Sequence, residues 1–118
     1  MRMTTAQALV RALAAQRTVV DGGEVPLCAG VWAIFGHGNV AGLGEALAGA
    51  DGALPTLRAH NESAMGFAAA AFARQTRRRR FMACTTSIGP GATNLVTAAA
   101  LAHLNRLPVL FLPGDVFA

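Results

Sequence analysis

The stretch Ser87-Ile88-Gly89-Pro90-Gly91-Ala92-Thr93-Asn94 decides how this chain folds and where it is expected to bind a ligand. An apolar run suited to a β-strand, residues 81–86, precedes it, and an alanine-rich helical pattern follows it. Two glycines and a proline are unfavourable inside either a strand or a helix, so the chain must turn sharply between the strand and the helix. Helix N-termini present free N–H groups and the positive end of the helix dipole. The stretch therefore predicts a strand, a turn and a helix start that together form a small-molecule site.

The same order of strand and helix recurs along the chain, which predicts an α/β fold with a parallel sheet and right-handed crossovers. Strands are expected at 27–35, 54–59, 81–86 and 108–112, and Pro55 suggests that the second of them lies at an edge or strand start. Helices are expected at 6–16, after a Thr4 cap, at 40–48, at 62–75, after an Asn61 cap, and at 92–105. Four strands are few for such a sheet, and the chain stops just past one, so we expect residues 1–118 to be a fragment.

Composition excludes several classes of protein. The chain has 118 residues, of which 53% are hydrophobic and 14% charged, which favours a buried core over disorder. No apolar run reaches the roughly 18 residues needed to span a bilayer, and the first residues lack the features of a signal peptide. We therefore expect a cytoplasmic protein without a membrane partner. Cys28 and Cys84 fall in predicted strands and are expected to be buried rather than paired or metal-bound.

All basic charge comes from arginine, and four arginines form the run Arg77-Arg78-Arg79-Arg80 in a chain of net charge +4. Such a run can bind an anion or a nucleic acid. No aromatic residues interleave it, however, and an apolar strand resumes directly at Phe81. We therefore favour a solvated loop and expect no nucleic-acid partner. A non-catalytic binding module that uses these arginines stays open as an alternative.

Three segments that follow strands and precede helices should meet at one edge of the sheet. They are residues 36–39, 60–62 and 87–94. Glu62, at a helix start, either complements the helix dipole or is a half-buried acid that shares a proton with a ligand nitrogen. His37, between two glycines, is either a surface residue or part of a cleft. The spacing of these residues does not fit a metal site, and no phosphate-binding P-loop is present.

Together these segments resemble the N-terminal pyrimidine-binding domain of thiamine-diphosphate enzymes, of the acetolactate-synthase-like group. In that family an acid stands as His/Asn-Glu before an alanine-rich helix, as in His60-Asn61-Glu62-Ser63-Ala64, and a Ser/Thr-x-Gly-Pro-Gly-Ala-Thr-Asn loop follows, as in 87–94. The resemblance covers nearly the whole chain. It implies a three-layer, doubly wound parallel sheet, of which residues 1–118 would form the N-terminal part. Residues 34–44, 84–91 and 112–118 look like a branch of the family that opens a cyclic diketone with water in inositol catabolism.

The resemblance also implies site residues. Glu62 would hydrogen-bond a nitrogen of the aminopyrimidine ring and so act as the catalytic residue that tunes the cofactor, thiamine diphosphate. The other cofactor-binding residues would be Gly36, Ser87, Gly89, Pro90, Gly91 and Asn94. His37 and Asn39 would lie on the side of the diketone substrate.

The family holds Mg²⁺ and the diphosphate on a separate C-terminal domain through a Gly-Asp-Gly…Asn motif, which this sequence lacks. In the family the two kinds of domain meet across a subunit interface, so self-association is expected. Within the family, an acetolactate-synthase-like lyase or carboligase is the alternative function. A truncated product that does not fold is a further alternative.

Overall fold

A computed structural model describes residues 2–115 of the chain. Four parallel strands form the main sheet: β3 (Cys28–Ala33), β4 (Thr56–Arg58), β5 (Phe81–Thr86) and β6 (Val109–Pro113). Their spatial order is β4-β3-β5-β6, so β4 lies at an edge, as Pro55 suggested. The predicted α/β fold with a parallel sheet is confirmed. The end of the 112–118 stretch, residues 116–118, lies outside the described residues.

Helices cover both faces of this sheet. One face carries α1 (Thr5–Ala15) together with α2 (Gly36–Asn39), a π-helical segment (Val40–Gly44) and α3 (Glu45–Ala48). The other carries α4 (Glu62–Gln75) and α6 (Val96–Leu104), and the short α5 (Pro90–Thr93) precedes α6. The fold is therefore three-layered, as expected.

Alternating side chains of β5 divide the core between the two faces. Ala83 packs with the α1 side, whereas Met82 and Cys84 pack with the α4 side. The buried residues on the α1 side include Val10, Leu13, Val31, Leu43 and Leu47, and those on the α4 side include Met65, Ala69 and Leu95. Cys28 and Cys84 are free and buried, as predicted, and desolvation raises the pKa of the Cys84 thiol to about 12.

An antiparallel hairpin that the sequence did not predict stands beside the main sheet. It consists of β1 (Arg17–Val20) and β2 (Gly23–Pro26), joined by a turn at Asp21 and Gly22, where φ is +52° and +83°. The arginine run holds the hairpin in place: the Arg79 guanidinium lies 3.2 Å from the Asp21 carboxylate, and Arg80 Nε donates to the Pro26 carbonyl at 2.8 Å.

Two helices differ from their predicted bounds. The helix expected at 40–48 begins earlier, because Gly36–Asn39 forms the first turn of a helical stretch that continues through the π-helical segment into α3. The helix expected at 92–105 is divided at Asn94 and Leu95 into α5 and α6. Among the described residues, no helix is both long and apolar enough to cross a bilayer.

Candidate functional site

The carboxyl ends of β3 and β5 bring two of the predicted segments into direct contact. Gly36 has φ +67°, and a Cβ at this position would lie 2.3 Å from Ser87 Cβ and 2.8 Å from Ser87 Cα. No side chain fits there, and the left-handed backbone conformation also favours glycine. Gly36 therefore allows the turn after β3 to touch the turn after β5.

Glu62 is the first residue of α4, directly after the cap that the sequence predicted. The Asn61 Oδ1 accepts a hydrogen bond from the Ala64 N–H at 3.0 Å, which confirms the cap and places Glu62 in the first helical turn. The Glu62 side chain is half-buried, and its Oε2 accepts a hydrogen bond from Asn94 Nδ2 at 2.9 Å. The acid is thus fixed to the chain segment that follows α5.

Ser63 joins the same hydrogen-bonded group. Its hydroxyl lies 2.5 Å from the Asn94 main-chain carbonyl and 2.9 Å from Asn94 Oδ1, and it can donate to either oxygen. Consecutive residues of α4 therefore hold both ends of the Asn94 amide.

Gly91 forms the floor beneath the Glu62 carboxylate. Gly89, with φ +59° and ψ −120°, turns the chain after β5, and Pro90 begins α5. Gly91 is buried, and a Cβ there would lie 3.2 Å from Glu62 Oε1 and 2.3 Å from Ser87 Oγ. A side chain at this position would clash with the Ser87 hydroxyl, so Gly91 allows Ser87 to pack beside the Glu62 carboxylate.

The predicted site residues line two neighbouring depressions rather than one. Glu62, Pro90, Gly91 and Asn94 line a shallow, open depression of about 490 Å³. His37, Asn39 and Ser87 line a narrower cleft of about 230 Å³ with Phe35, Ile88, Gly114 and Asp115. Gly36 lines neither of them, and Gly89 is exposed beside them.

Asn39 has a structural role that sequence reasoning missed. Its Nδ2 donates to Thr85 Oγ1 and to the Thr86 carbonyl at 2.9 Å, and it approaches the Leu112 carbonyl at 3.4 Å. The amide nitrogen thus ties α2 to the carboxyl ends of β5 and β6. Sequence spacing carries no signal for this contact, because its partners are 46 to 73 residues away.

Side chains of the arginine run make contacts that stabilise the loop to which they belong. Arg78 donates to the main-chain carbonyls of Arg106 and Asn105 at 3.1 and 3.2 Å, and the Arg80 guanidinium lies 5.6 Å from the centre of the Phe72 ring. With the two hairpin contacts of Arg79 and Arg80, three of the four arginines have partners within the fold. The loop is anchored and not simply solvated, which supports a structural role for the run.

The Glu62 depression presents a carboxylate oxygen that can accept a hydrogen bond from a ligand. One carboxylate oxygen is held by an amide, the other faces a glycine floor, and the pocket is open on one side. Within residues 2–115, no three or more His, Cys, Asp or Glu side chains are grouped so that they could hold a metal ion.

Comparisons with known proteins identify the family. Residues 27–118 match the family model described as the thiamine pyrophosphate enzyme, N-terminal TPP binding domain. The chain is 53% identical over 117 residues to proteins named 3D-(3,5/4)-trihydroxycyclohexane-1,2-dione hydrolase from Bacillus thuringiensis (strain Al Hakam) and Bacillus anthracis. These alignments cover 99% of this chain but 18% of each relative, so the chain spans less than a fifth of their length.

Proposed function

Because this chain belongs to the family of thiamine pyrophosphate (thiamine diphosphate) enzyme N-terminal domains, we propose that it forms the pyrimidine-binding part of a hydrolase acting on 3D-(3,5/4)-trihydroxycyclohexane-1,2-dione. The enzyme would use water to break a C–C bond of this cyclic diketone and release 5-deoxyglucuronate in myo-inositol catabolism. The identity of 53% along nearly all of the chain supports this substrate over that of an acetolactate-synthase-like carboligase.

The position of Glu62 is the observation that carries the proposal. Its carboxylate is half-buried at the carboxyl edge of a parallel sheet, with Oε1 above Gly91 and Oε2 bound to Asn94. A carboxylate so placed can hydrogen-bond a ring nitrogen of the cofactor and hold a proton there. Thiamine diphosphate, when bound, supplies the electron sink for C–C cleavage.

The remaining residues would shape the pocket around that contact. Gly91 would allow Ser87 to pack beside the Glu62 carboxylate, and Gly36 would allow the turn after β3 to contact Ser87. Gly89 and Pro90 would set the turn that presents this floor. His37 and Asn39 line the neighbouring cleft, where the diketone would lie.

Parts of the proposal concern groups outside these residues. Mg²⁺ and the diphosphate would be held by a separate domain, and self-association would bring that domain over the open side of the Glu62 depression. A cytoplasmic location completes the proposal.

The direct test changes Glu62 in a complete enzyme. Residues 1–118 would replace the corresponding segment of the Bacillus anthracis relative, and Glu62→Gln would be made in this graft. We expect diketone hydrolysis to fall by at least about a hundredfold, since general acid–base contributions are of that order. Thermal melting should stay unchanged.

Glu45→Gln is the matched control, because Glu45 is also in the first turn of a helix but is exposed away from the site. It should retain full activity. Near-parental activity of Glu62→Gln would reject the role given to Glu62. A graft that forms acetolactate and leaves the diketone intact would favour the carboligase instead.

A further inference from the structure

We propose that Asn94 and Ser63 are positioning residues for Glu62, and that they fix its carboxylate so that Oε1 is the oxygen presented to the ligand. The resemblance implied that Asn94 binds the cofactor; the hydrogen bonds place its amide on the Glu62 carboxylate. The inference rests on the proposed function for the nature of the ligand, whereas the hydrogen-bonded group is a feature of the fold itself.

The amide of Asn94 occupies one oxygen of the Glu62 carboxylate. Its Nδ2 lies 2.9 Å from Glu62 Oε2. An ionised carboxylate only accepts hydrogen bonds, so the opposite amide orientation would set Asn94 Oδ1 against Oε2 and produce repulsion. The carboxylate therefore selects one orientation of the amide, and the amide in turn occupies Oε2.

Ser63 contacts the other end of that amide. Its hydroxyl lies 2.5 Å from the Asn94 main-chain carbonyl and 2.9 Å from Asn94 Oδ1, and either oxygen can accept its one proton. Rotation of the Asn94 side chain would break its bonds to both Ser63 and Glu62. Two adjacent residues of α4 thus lock the amide, and the amide locks the acid.

Oε1 is the oxygen of the Glu62 carboxylate that Asn94 does not contact. Oε1 faces Gly91, 3.2 Å from the place where a Cβ would stand, and it lines the open depression. With Oε2 bound to Asn94, a ligand nitrogen meets Oε1. A catalytic group acts efficiently only when neighbouring contacts hold it near its productive geometry.

The test exchanges the members of the pair in the grafted holoenzyme. Asn94→Asp replaces the donor by a carboxylate of the same shape, and the double variant Glu62→Gln with Asn94→Asp restores a hydrogen bond with its direction reversed. Melting temperature, the Kd of thiamine diphosphate by calorimetry, and kcat would be measured for each.

We expect Asn94→Asp to lower the melting temperature, to weaken cofactor binding at least about tenfold and to reduce kcat with the KM for the diketone unchanged. The double variant should regain the melting temperature but neither cofactor affinity nor kcat, because the pair is restored without the acid. Asn105→Asp, the same substitution at the exposed C-terminal end of α6, should leave cofactor binding unchanged.

Asn94→Asp that binds cofactor and turns over within about twofold of the parent would overturn the inference, even if Glu62→Gln is inactive and the proposed function stands. If Asn94→Asp does not fold, Ser63→Ala decides: cofactor binding weakened severalfold supports the inference, and unchanged binding overturns it. If Glu62→Gln is fully active, the proposed role of Glu62 fails by itself. The side-chain amide resonances of Asn94, compared between parent and Ser63→Ala, then show whether the locked group exists, and unshifted resonances overturn it.

Discussion

Gly36 is the residue that brings the turn after β3 against the turn after β5. Its φ of +67° is rarely adopted by other residues, and Ser87 occupies the space that a side chain at this position would need. Because Ser87 Cα is main chain, the clash cannot be relieved by a change of side-chain rotamer. Two independent requirements for glycine therefore coincide at one position.

We predict that Gly36→Ala destabilises the fold by about 2–4 kcal/mol, with about 1–3 from overpacking and about 1 from the backbone conformation. Gly52→Ala is the matched control: its φ is +79°, but nothing lies within 4 Å of the added Cβ. It should cost only about 1 kcal/mol. Urea denaturation of the two variants measures the difference, and equal losses would mean that contact with Ser87 does not constrain Gly36.

At the scale of elements, α4 and α6 approach each other closely because a glycine lies at their contact. A Cβ on Gly66 would stand 2.6 Å from Ala98 Cβ and 3.3 Å from Leu95 Cδ2. The alanines around it, including Ala69 and Ala70, are almost fully buried. Small residues on both helices thus set the spacing of the layer that carries Glu62.

Gly66→Ala should therefore destabilise the protein by about 1–3 kcal/mol, because the helices must separate or distort to fit the added methyl group. Gly42→Ala, in the exposed part of the π-helical segment, meets nothing within 4 Å and should instead stabilise by up to about 1 kcal/mol. Thermal or denaturant unfolding would show shifts of opposite sign. A shift in the same direction for both would contradict the packing argument.

The elements that the sequence predicted well are those with local signals. The helix at 62–75 agrees with α4 to the residue, because its Asn61 cap and its alanine pattern are both encoded nearby. The strand at 81–86 is bounded by a loop and by Gly89, and it also agrees with β5. The hairpin was missed because each of its strands has only four residues and part of its support comes from Arg79 and Arg80, far along the chain.

In the candidate site, too, local sequence features could be predicted, whereas contacts between distant residues could not. Sequence motifs pointed to both Glu62 and Gly91, and the structure places these residues together. The hydrogen bonds that orient the site could not be predicted from the sequence, because Glu62 and Asn94 are 32 residues apart and Asn39 and Leu112 are 73 apart. Such pairings follow from how α4, α5 and the strand ends pack, which residue spacing does not encode.

At the scale of the whole molecule, the strand order places the site at a switch in direction. The chain runs outward from β3 to β4 on one side and from β5 to β6 on the other, so the turns after β3 and β5 meet where the order reverses. Ligands of open parallel sheets bind at such points. Glu62 follows β4, and its hydrogen bond to Asn94, just after α5, shows that its carboxylate lies beside this region.

The depression around Glu62 is open on one side, and this limits what the 118-residue chain can do by itself. Water at an open site competes for Glu62 and weakens the electrostatic interactions on which the proposed chemistry depends. We predict that the isolated chain binds thiamine diphosphate at least about a hundredfold more weakly than the grafted enzyme, and that it hydrolyses no diketone. Calorimetry and a diketone assay on the purified chain, after circular dichroism has shown a cooperative melt, test both statements. Turnover by the isolated chain would show that these residues hold a complete active site, and the proposed division of the cofactor between two domains would be wrong.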